Sequence, residues 1–125
     1  MRIFKNKWFV KFAKKERITD EKLCEMVVDL EKGAIDVDYG AGVIKQRLAR
    51  PNQGKSSGYR CIILFRVKAG AFFVYGFPKN ERENISQDDE QAFKELAQQM
   101  LCFTDNDLEL MLRAGVLVEV SYNDQ

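Results

Sequence analysis

Four basic residues stand where they could bind and polarise a phosphate group. Lys45 and Arg47 lie two residues apart, just before a polar segment. Arg60 follows that segment, and Lys79 comes after the next apolar stretch. Lys and Arg both bind phosphate, Arg through two parallel hydrogen bonds and Lys as a point charge. The chain has no histidine, which excludes catalysis by a histidine base and histidine zinc sites.

Charge is unevenly distributed along the 125-residue chain, although its formal net charge is only +1. Residues 39–80 contain eight bases and no acid, whereas residues 81–125 contain three bases and eleven acids. The eight bases are Lys45, Arg47, Arg50, Lys55, Arg60, Arg66, Lys68 and Lys79. They need either an anionic ligand or the acidic C-terminal segment as their counterpart. Charge alone therefore leaves two interpretations, a polyanion-binding surface and a solvated sheet face that is partly paired with the acidic C-terminal segment.

The apolar patterns predict an α+β fold, with an N-terminal helical hairpin packed on a small, mainly antiparallel sheet and a C-terminal helix. A strand over residues 2–5 precedes the two helices of the hairpin, which Asn6 and Thr19 would cap. Three strands are predicted over residues 43–49, 59–67 and 71–77. Alternation along the first of them puts Lys45 and Arg47 on one face.

Two polar or terminal segments complete this picture. Residues 50–58 have the Gly, Pro, Ser and Asn content of a flexible loop, whose backbone amides could cradle phosphates. Ser86 is expected to cap the next helix, followed by a short helix after Thr104 and a strand over residues 116–120. We expect one domain over residues 1–125, with a core to about residue 102 and an extension over 103–125.

The rest of the composition points to a cytoplasmic protein. No apolar stretch is long enough for a transmembrane helix, and the N-terminus lacks the apolar run of a signal peptide. The three cysteines, Cys24, Cys61 and Cys102, are far apart and odd in number. A disulfide framework or a thiolate metal site is therefore not expected.

Three short motifs resemble the RelE/ParE superfamily of bacterial toxins, and most closely its RelE-like branch with the HigB-type toxins. These motifs are Lys45-Gln46-Arg47-Leu48, Lys55-Ser56-Ser57-Gly58-Tyr59-Arg60 and Phe77-Pro78-Lys79-Asn80-Glu81-Arg82. The resemblance runs in order from the N-terminus to about Met100. It implies a RelE-like fold and the toxin of a type II toxin–antitoxin pair.

The resemblance further implies a ribosome-dependent mRNA endonuclease that acts without metal or cofactor. Arg60, Lys45, Arg47 and Lys79 would be its catalytic residues. Arg60 would hold the scissile phosphate, Lys45 and Arg47 would bind the backbone and assist proton removal, and Lys79 would act near the leaving oxygen. The expected RNA-binding residues are Arg50, Lys55, Ser57, Tyr59, Asn80 and Arg82. The expected partners are a cognate antitoxin, the ribosome and mRNA, and a homodimer is a further possibility.

Two alternatives stay open at this point. The ParE branch shares the fold but poisons DNA gyrase, so the fold does not separate the two activities. The charge pattern by itself is also compatible with a nucleic-acid-binding module that has no catalytic activity.

Overall fold

The computed structural model describes residues 1–50 and 54–121, with residues 49, 50 and 54–57 described by their backbone alone. Within these residues the chain forms four helices and six strands. Their order is β1 (Ile3–Asn6), α1 (Lys7–Glu16), α2 (Asp20–Glu31), β2 (Val37–Gly40), β3 (Val43–Arg50), β4 (Gly54–Arg66), β5 (Gly70–Pro78), α3 (Gln87–Met100), α4 (Asp105–Arg113) and β6 (Leu117–Glu119).

All six strands belong to one sheet, in the order β2-β3-β4-β5-β1-β6. Every neighbouring pair is antiparallel except β1 and β5, which run parallel. The predicted α+β fold with a mainly antiparallel sheet is confirmed. The apolar β5 lies between β4 and β1, as its composition predicts for a strand covered on both faces.

Helices cover both faces of the sheet and divide the core into two clusters. Helices α1 and α2 pack on one face, with Phe9 and Leu23 fully buried there. Helices α3 and α4 contribute Ala97 and Leu108 to the cluster on the other face. Strand β3 alternates between the two, since Ile44 belongs to the first cluster and Val43 to the second. Lys45 and Arg47 occupy the same alternate positions as Val43, and they therefore leave the sheet on the α3 side.

The predicted helix caps are confirmed. Asn6 accepts a hydrogen bond from the Phe9 N–H at 2.8 Å, and Thr19 accepts one from the Lys22 N–H at 3.2 Å. Ser86 does the same at the start of α3, from the Asp89 N–H. Each side chain satisfies a backbone donor that the first turn of a helix leaves unpaired.

The predicted polar loop over residues 50–58 is wrong for residues 50 and 54–58, which belong to strands, and its residues 51–53 lie outside the described part of the chain. Strand β3 continues to Arg50, β4 begins at Gly54, and these two residues are paired. The polar composition is misleading because backbone pairing in a hairpin does not depend on apolar side chains. Strand β2 is also missing from the prediction, since its four residues are too few for a clear alternation.

The C-terminal segment is integrated into the same sheet and core. Strand β6 pairs antiparallel with β1, so that Leu117 lies opposite Asn6. Leu108, Leu117 and Val120 are all buried. Residues 104–120 thus add a helix and an edge strand to the fold, as predicted for the short helix after Thr104 and the strand over residues 116–120. None of the helices in the described part of the chain has the length and apolarity needed to span a bilayer.

Candidate functional site

A cavity of about 200 Å³, which we call the cationic cleft, lies beside the interior of β3 and β4 and the end of β5. It is lined by Asp36, Lys45, Arg47, Arg60, Lys79 and Glu83. All four residues expected to be catalytic therefore meet in one place. They outnumber the two carboxylates beside them, so the cleft suits an anion.

Strand geometry brings these four cations together. Lys45 and Arg47 are two residues apart on β3, and their side chains point to the same face. Arg60 on β4 is the cross-strand partner of Arg47. Lys79 directly follows β5, and its N–H donates a 2.9 Å hydrogen bond to the Gly58 carbonyl beside Arg60. Antiparallel pairing thus places residues distant in sequence next to one another across three neighbouring strands.

Two of the cations are buried without a carboxylate partner. The exposed fraction is 8% for Lys45 and 4% for Arg60. Lys45 Nζ donates to the Glu83 carbonyl at 3.1 Å, and Arg60 donates to the Tyr59 carbonyl at 3.3 Å. Among the described side chains, no carboxylate oxygen lies within 4 Å of either charge. A buried charge without a counterion is unfavourable, and an anionic ligand would supply the missing counterion.

Arg47 differs because it has a carboxylate partner. Its Nε lies 3.3 Å from Asp36 Oδ1, and about half of the arginine side chain is exposed. Gln46 holds Asp36 in place, since its Oε1 accepts a 2.9 Å hydrogen bond from the Asp36 N–H. The Gln46 Nε2 donates to the Ala34 carbonyl at 2.7 Å. The sequence did not reveal the role of Asp36, because the segment before β2 carries no recognisable motif, and it did not reveal that Gln46 of the first motif holds this segment.

A comparison with protein families identifies the chain. The model of the family described as RelE toxin of RelE / RelB toxin-antitoxin system matches residues 1–120. The chain belongs to the RelE toxin family. No curated protein matches this RelE-family toxin at a significant level. Membership gives the chain the role of a toxin and implies an antitoxin as its partner.

The other side chains expected to bind RNA in this RelE-family toxin lie outside the cationic cleft or outside the described residues. Tyr59 is buried on the α1 side of the sheet, where its hydroxyl donates to Glu16 at 2.6 Å. Asn80 is exposed in the turn after β5. Arg82 lies over the rings of Tyr75 and Phe77, with its guanidinium 5.4 and 5.1 Å from their centroids. The side chains of Arg50, Lys55 and Ser57 lie outside the described residues.

The described side chains of the basic middle segment of the RelE-family toxin form no ion pair with the acidic C-terminal segment. Six of its eight basic side chains are described, and of these only Arg47 has a carboxylate within 4 Å. That carboxylate belongs to Asp36, which precedes the segment. The C-terminal acids instead pair with Arg2, Arg82, Lys94 and Arg113. The interpretation of a sheet face paired with the acidic segment is therefore wrong for the described side chains.

Proposed function

We propose that this toxin is a metal-independent, ribosome-dependent mRNA endonuclease that inhibits translation. The observation that carries the proposal is the cationic cleft, in which buried Lys45 and Arg60 lack a carboxylate partner among the described side chains. The phosphate of an RNA backbone fits this requirement, because it brings a negative charge and several hydrogen-bond acceptors. The family supports the role of a toxin, and the proposal adds the target and the reaction.

In the proposed reaction, the ribose 2′-oxygen attacks the adjacent phosphorus and the bond to the 5′-oxygen breaks. One product ends in a 2′,3′-cyclic phosphate, and the other begins with a 5′-hydroxyl. The proton of the 2′-hydroxyl passes to a water molecule as the new bond forms, and the 5′-oxygen takes a proton from water, so that the protons balance. The phosphorus passes through a state with additional negative charge. Fixed positive groups that stabilise such charge provide much of the rate enhancement in many enzymes.

Each cation of the cleft has a role in this scheme. Arg60 holds the scissile phosphate, because its planar guanidinium can donate two parallel hydrogen bonds to phosphate oxygens. Lys45 and Arg47 bind the phosphate backbone on the side of β3 and assist proton removal. Lys79 stabilises the leaving oxygen from the end of β5. Together they supply the positive charge that metal ions provide in many other nucleases.

A coupled translation reaction tests the proposal. Purified toxin is added to a translating extract, the 5′ ends of the message are mapped, and the same message is incubated with toxin without ribosomes. We expect cuts in phase with the codons in the translating sample alone, together with cyclic phosphate ends. A separate assay measures DNA supercoiling by gyrase in the presence of the toxin. Inhibition of gyrase without message cleavage would assign the toxin to the ParE-type activity. RNA binding without message cleavage and without gyrase inhibition would identify the toxin as a nucleic-acid-binding module that has no catalytic activity.

The proposed activity also specifies the partners and the location. The toxin would meet ribosomes and mRNA in the cytoplasm, and the antitoxin would neutralise it there. Co-expression with a small neighbouring gene should restore growth to cells that the toxin alone inhibits. Unimpaired growth at a high level of the folded toxin would contradict the proposal.

A further inference from the structure

A second cavity, of about 390 Å³, lies between α1 and the end of β5. We call it the aromatic cleft and define it by Trp8, Phe12, Tyr75, Phe77 and Arg82, which all line it. The cleft exists because β1 pairs with β5 only as far as Phe73. Beyond that point the edge of β5 faces α1, whose aromatic residues close the cavity.

Gly76 allows α1 to approach this edge closely. A Cβ atom at this position would lie 2.5 Å from the ring of Phe12, a distance that no side chain tolerates. The Phe12 ring in turn stacks on Trp8, with centroids 5.2 Å apart and planes at 19°. Trp8 also lies 4.5 Å from the ring of Tyr75. The rings thus hold the indole in a fixed orientation, yet Trp8 is still 43% exposed.

The charges around the aromatic cleft are balanced, in contrast to those of the cationic cleft. Lys15 and Arg82 face Glu16 and Glu81. Balanced charge gives a phosphate no advantage, whereas an accessible indole and polar groups around it suit an uncharged planar ring with hydrogen-bonding edges. Nucleobases have these properties, and they stack on aromatic side chains in proteins that bind single strands.

The two clefts are adjacent across a single strand pair. Phe77 lines the aromatic cleft, and its cross-strand partner Arg60 lines the cationic cleft. Neighbouring strands lie about 4.8 Å apart. Pro78 and Lys79 make the same connection along the chain, since each lines one cleft. An RNA phosphate in the cationic cleft would therefore have a neighbouring base within reach of Trp8.

We propose that the aromatic cleft is a nucleobase site, in which Trp8 stacks on a base of the RNA strand whose phosphate occupies the cationic cleft. This inference rests on the proposed function, because it takes RNA as the ligand. It assigns base contact to α1 and β5, away from the four cations. Stacking of this kind tolerates different bases and adds affinity more than sequence preference.

Tryptophan fluorescence gives a direct test, because Trp8 is the single tryptophan of the chain. The probes are a 2′-O-methyl tetranucleotide, which cannot be cleaved, and an abasic tetranucleotide with the same phosphates. We expect saturable quenching by the first probe and none by the second, although both bind. Equal affinity for the two probes with unchanged fluorescence would overturn the inference.

Substitutions at Trp8 provide the matched comparison. Trp8→Ala should weaken binding of the base-containing probe roughly fivefold or more and leave binding of the abasic probe unchanged. Trp8→Phe should retain most of the affinity, and Val28→Ala, an exposed apolar residue on α2, should have no effect. Equal losses for both probes in Trp8→Ala would overturn the inference. If Trp8→Ala does not fold, as judged by circular dichroism, wild-type quenching decides the question.

The test separates this inference from the proposed function. Codon-phased cleavage by a toxin whose Trp8 does not respond to bases would overturn the nucleobase site and leave the endonuclease. Quenching by the base-containing probe without any message cleavage would support the nucleobase site and overturn the endonuclease.

Discussion

Arg47 and Arg60 lie directly opposite each other on the neighbouring strands β3 and β4. Like charges in this position repel each other and destabilise a sheet. Asp36 compensates only Arg47, and no described carboxylate compensates Arg60. The fold therefore holds two guanidinium groups together through backbone pairing and core packing. A phosphate entering the cationic cleft would relieve the repulsion, which links ligand binding to the stability of this part of the sheet.

Replacing Arg60 should remove activity and leave the fold intact. We expect Arg60→Ala to reduce message cleavage about a hundredfold or more, the effect of losing a donor to a developing negative charge. Arg60→Lys should also be impaired because it lacks the planar guanidinium. The free energy of unfolding should change by about 1 kcal/mol or less, since removal of an unpaired buried charge offsets the lost packing. Cleavage assays and urea denaturation measure the two effects.

The control for Arg60 is Arg66, an exposed arginine at the C-terminal end of the same strand, β4. Arg66→Ala should cut messages at the wild-type rate. Full cleavage by folded Arg60→Ala, or an equal loss in both variants, would contradict a specific role of Arg60 in the cleft.

Salt dependence should distinguish Lys79 from Lys94. RNA binding releases condensed counterions, and for single strands the log–log slope is about −0.7 per neutralised phosphate. Lys79→Ala should make the slope shallower by about 0.7, because Lys79 lines the cationic cleft. Lys94 is paired with Glu90 on α3 at 2.9 Å, so Lys94→Ala should leave the slope unchanged. A salt titration of binding to a short RNA checks this, and equal slopes for the two variants would contradict it.

Gln46 should stabilise the fold through its two hydrogen bonds. Gln46→Leu would leave the Ala34 carbonyl and the Asp36 N–H without their partner. We expect a loss of about 1 kcal/mol in the free energy of unfolding, the net contribution of such hydrogen bonds, because water can reach the exposed Ala34 and Asp36. Gln98→Leu on the exposed face of α3 is the control, with an expected change below about 0.5 kcal/mol. Urea denaturation measures the free energy of unfolding of both variants. Equal values for Gln46→Leu and Gln98→Leu would contradict a stabilising role of Gln46.

Cys61 should be inert towards thiol reagents in the folded toxin. Burial raises the pKa of its thiol from 9.0 to about 12, so that little thiolate exists at pH 8. Cys102 is exposed and should be alkylated under the same conditions. Mass spectrometry after iodoacetamide treatment, with and without urea, reads out each site. Rapid modification of Cys61 without urea would show that the sheet opens at β4.

The contact between Arg2 and Glu119 should make stability depend on acid. The hydrogen bond from Arg2 holds the pKa of the Glu119 carboxyl below its ordinary value of 4.5. Its contribution is therefore complete above pH 4.5 and is lost as the pH falls through the lower, folded-state pKa. Glu119→Gln should cost about 0.5 kcal/mol at pH 7, and the difference from wild type should close at acid pH. Glu95→Gln, on the exposed face of α3, is the control. A stability difference between Glu119→Gln and wild type that does not change with pH would contradict a role of the ion pair.

Features that depend on neighbouring residues could be predicted from the sequence. Asn6, Thr19 and Ser86 cap helices because a short polar side chain next to an apolar periodic segment is sufficient for capping. Alternation also places Lys45 and Arg47 on one face of a strand. Lys45 and Arg47 lie close to Lys79 only if β4 lies between β3 and β5. The short connections between these consecutive strands favour that order, because they are typical of hairpins.

Features that depend on tertiary pairing could not be predicted. Asp36 reaches Arg47 only because β2 pairs with β3 and Gln46 fixes the preceding turn. The sequence also gives no sign that Arg60 is buried, since an arginine beside a polar segment is usually exposed. The pairing of Arg50 with Gly54 shows that β3 and β4 extend into a segment whose composition is typical of a loop.

The pairing of β1 with β6 also has a consequence for the order of events during synthesis. The second strand of this pair, Leu117–Glu119, is translated more than a hundred residues after the first, so β1 has no partner on that side until these residues have been made. Contacts of such high sequence separation form late and slowly. A ribosome that has not yet released Leu117–Glu119 therefore holds a toxin whose sheet is incomplete, with one edge of β1 still unpaired.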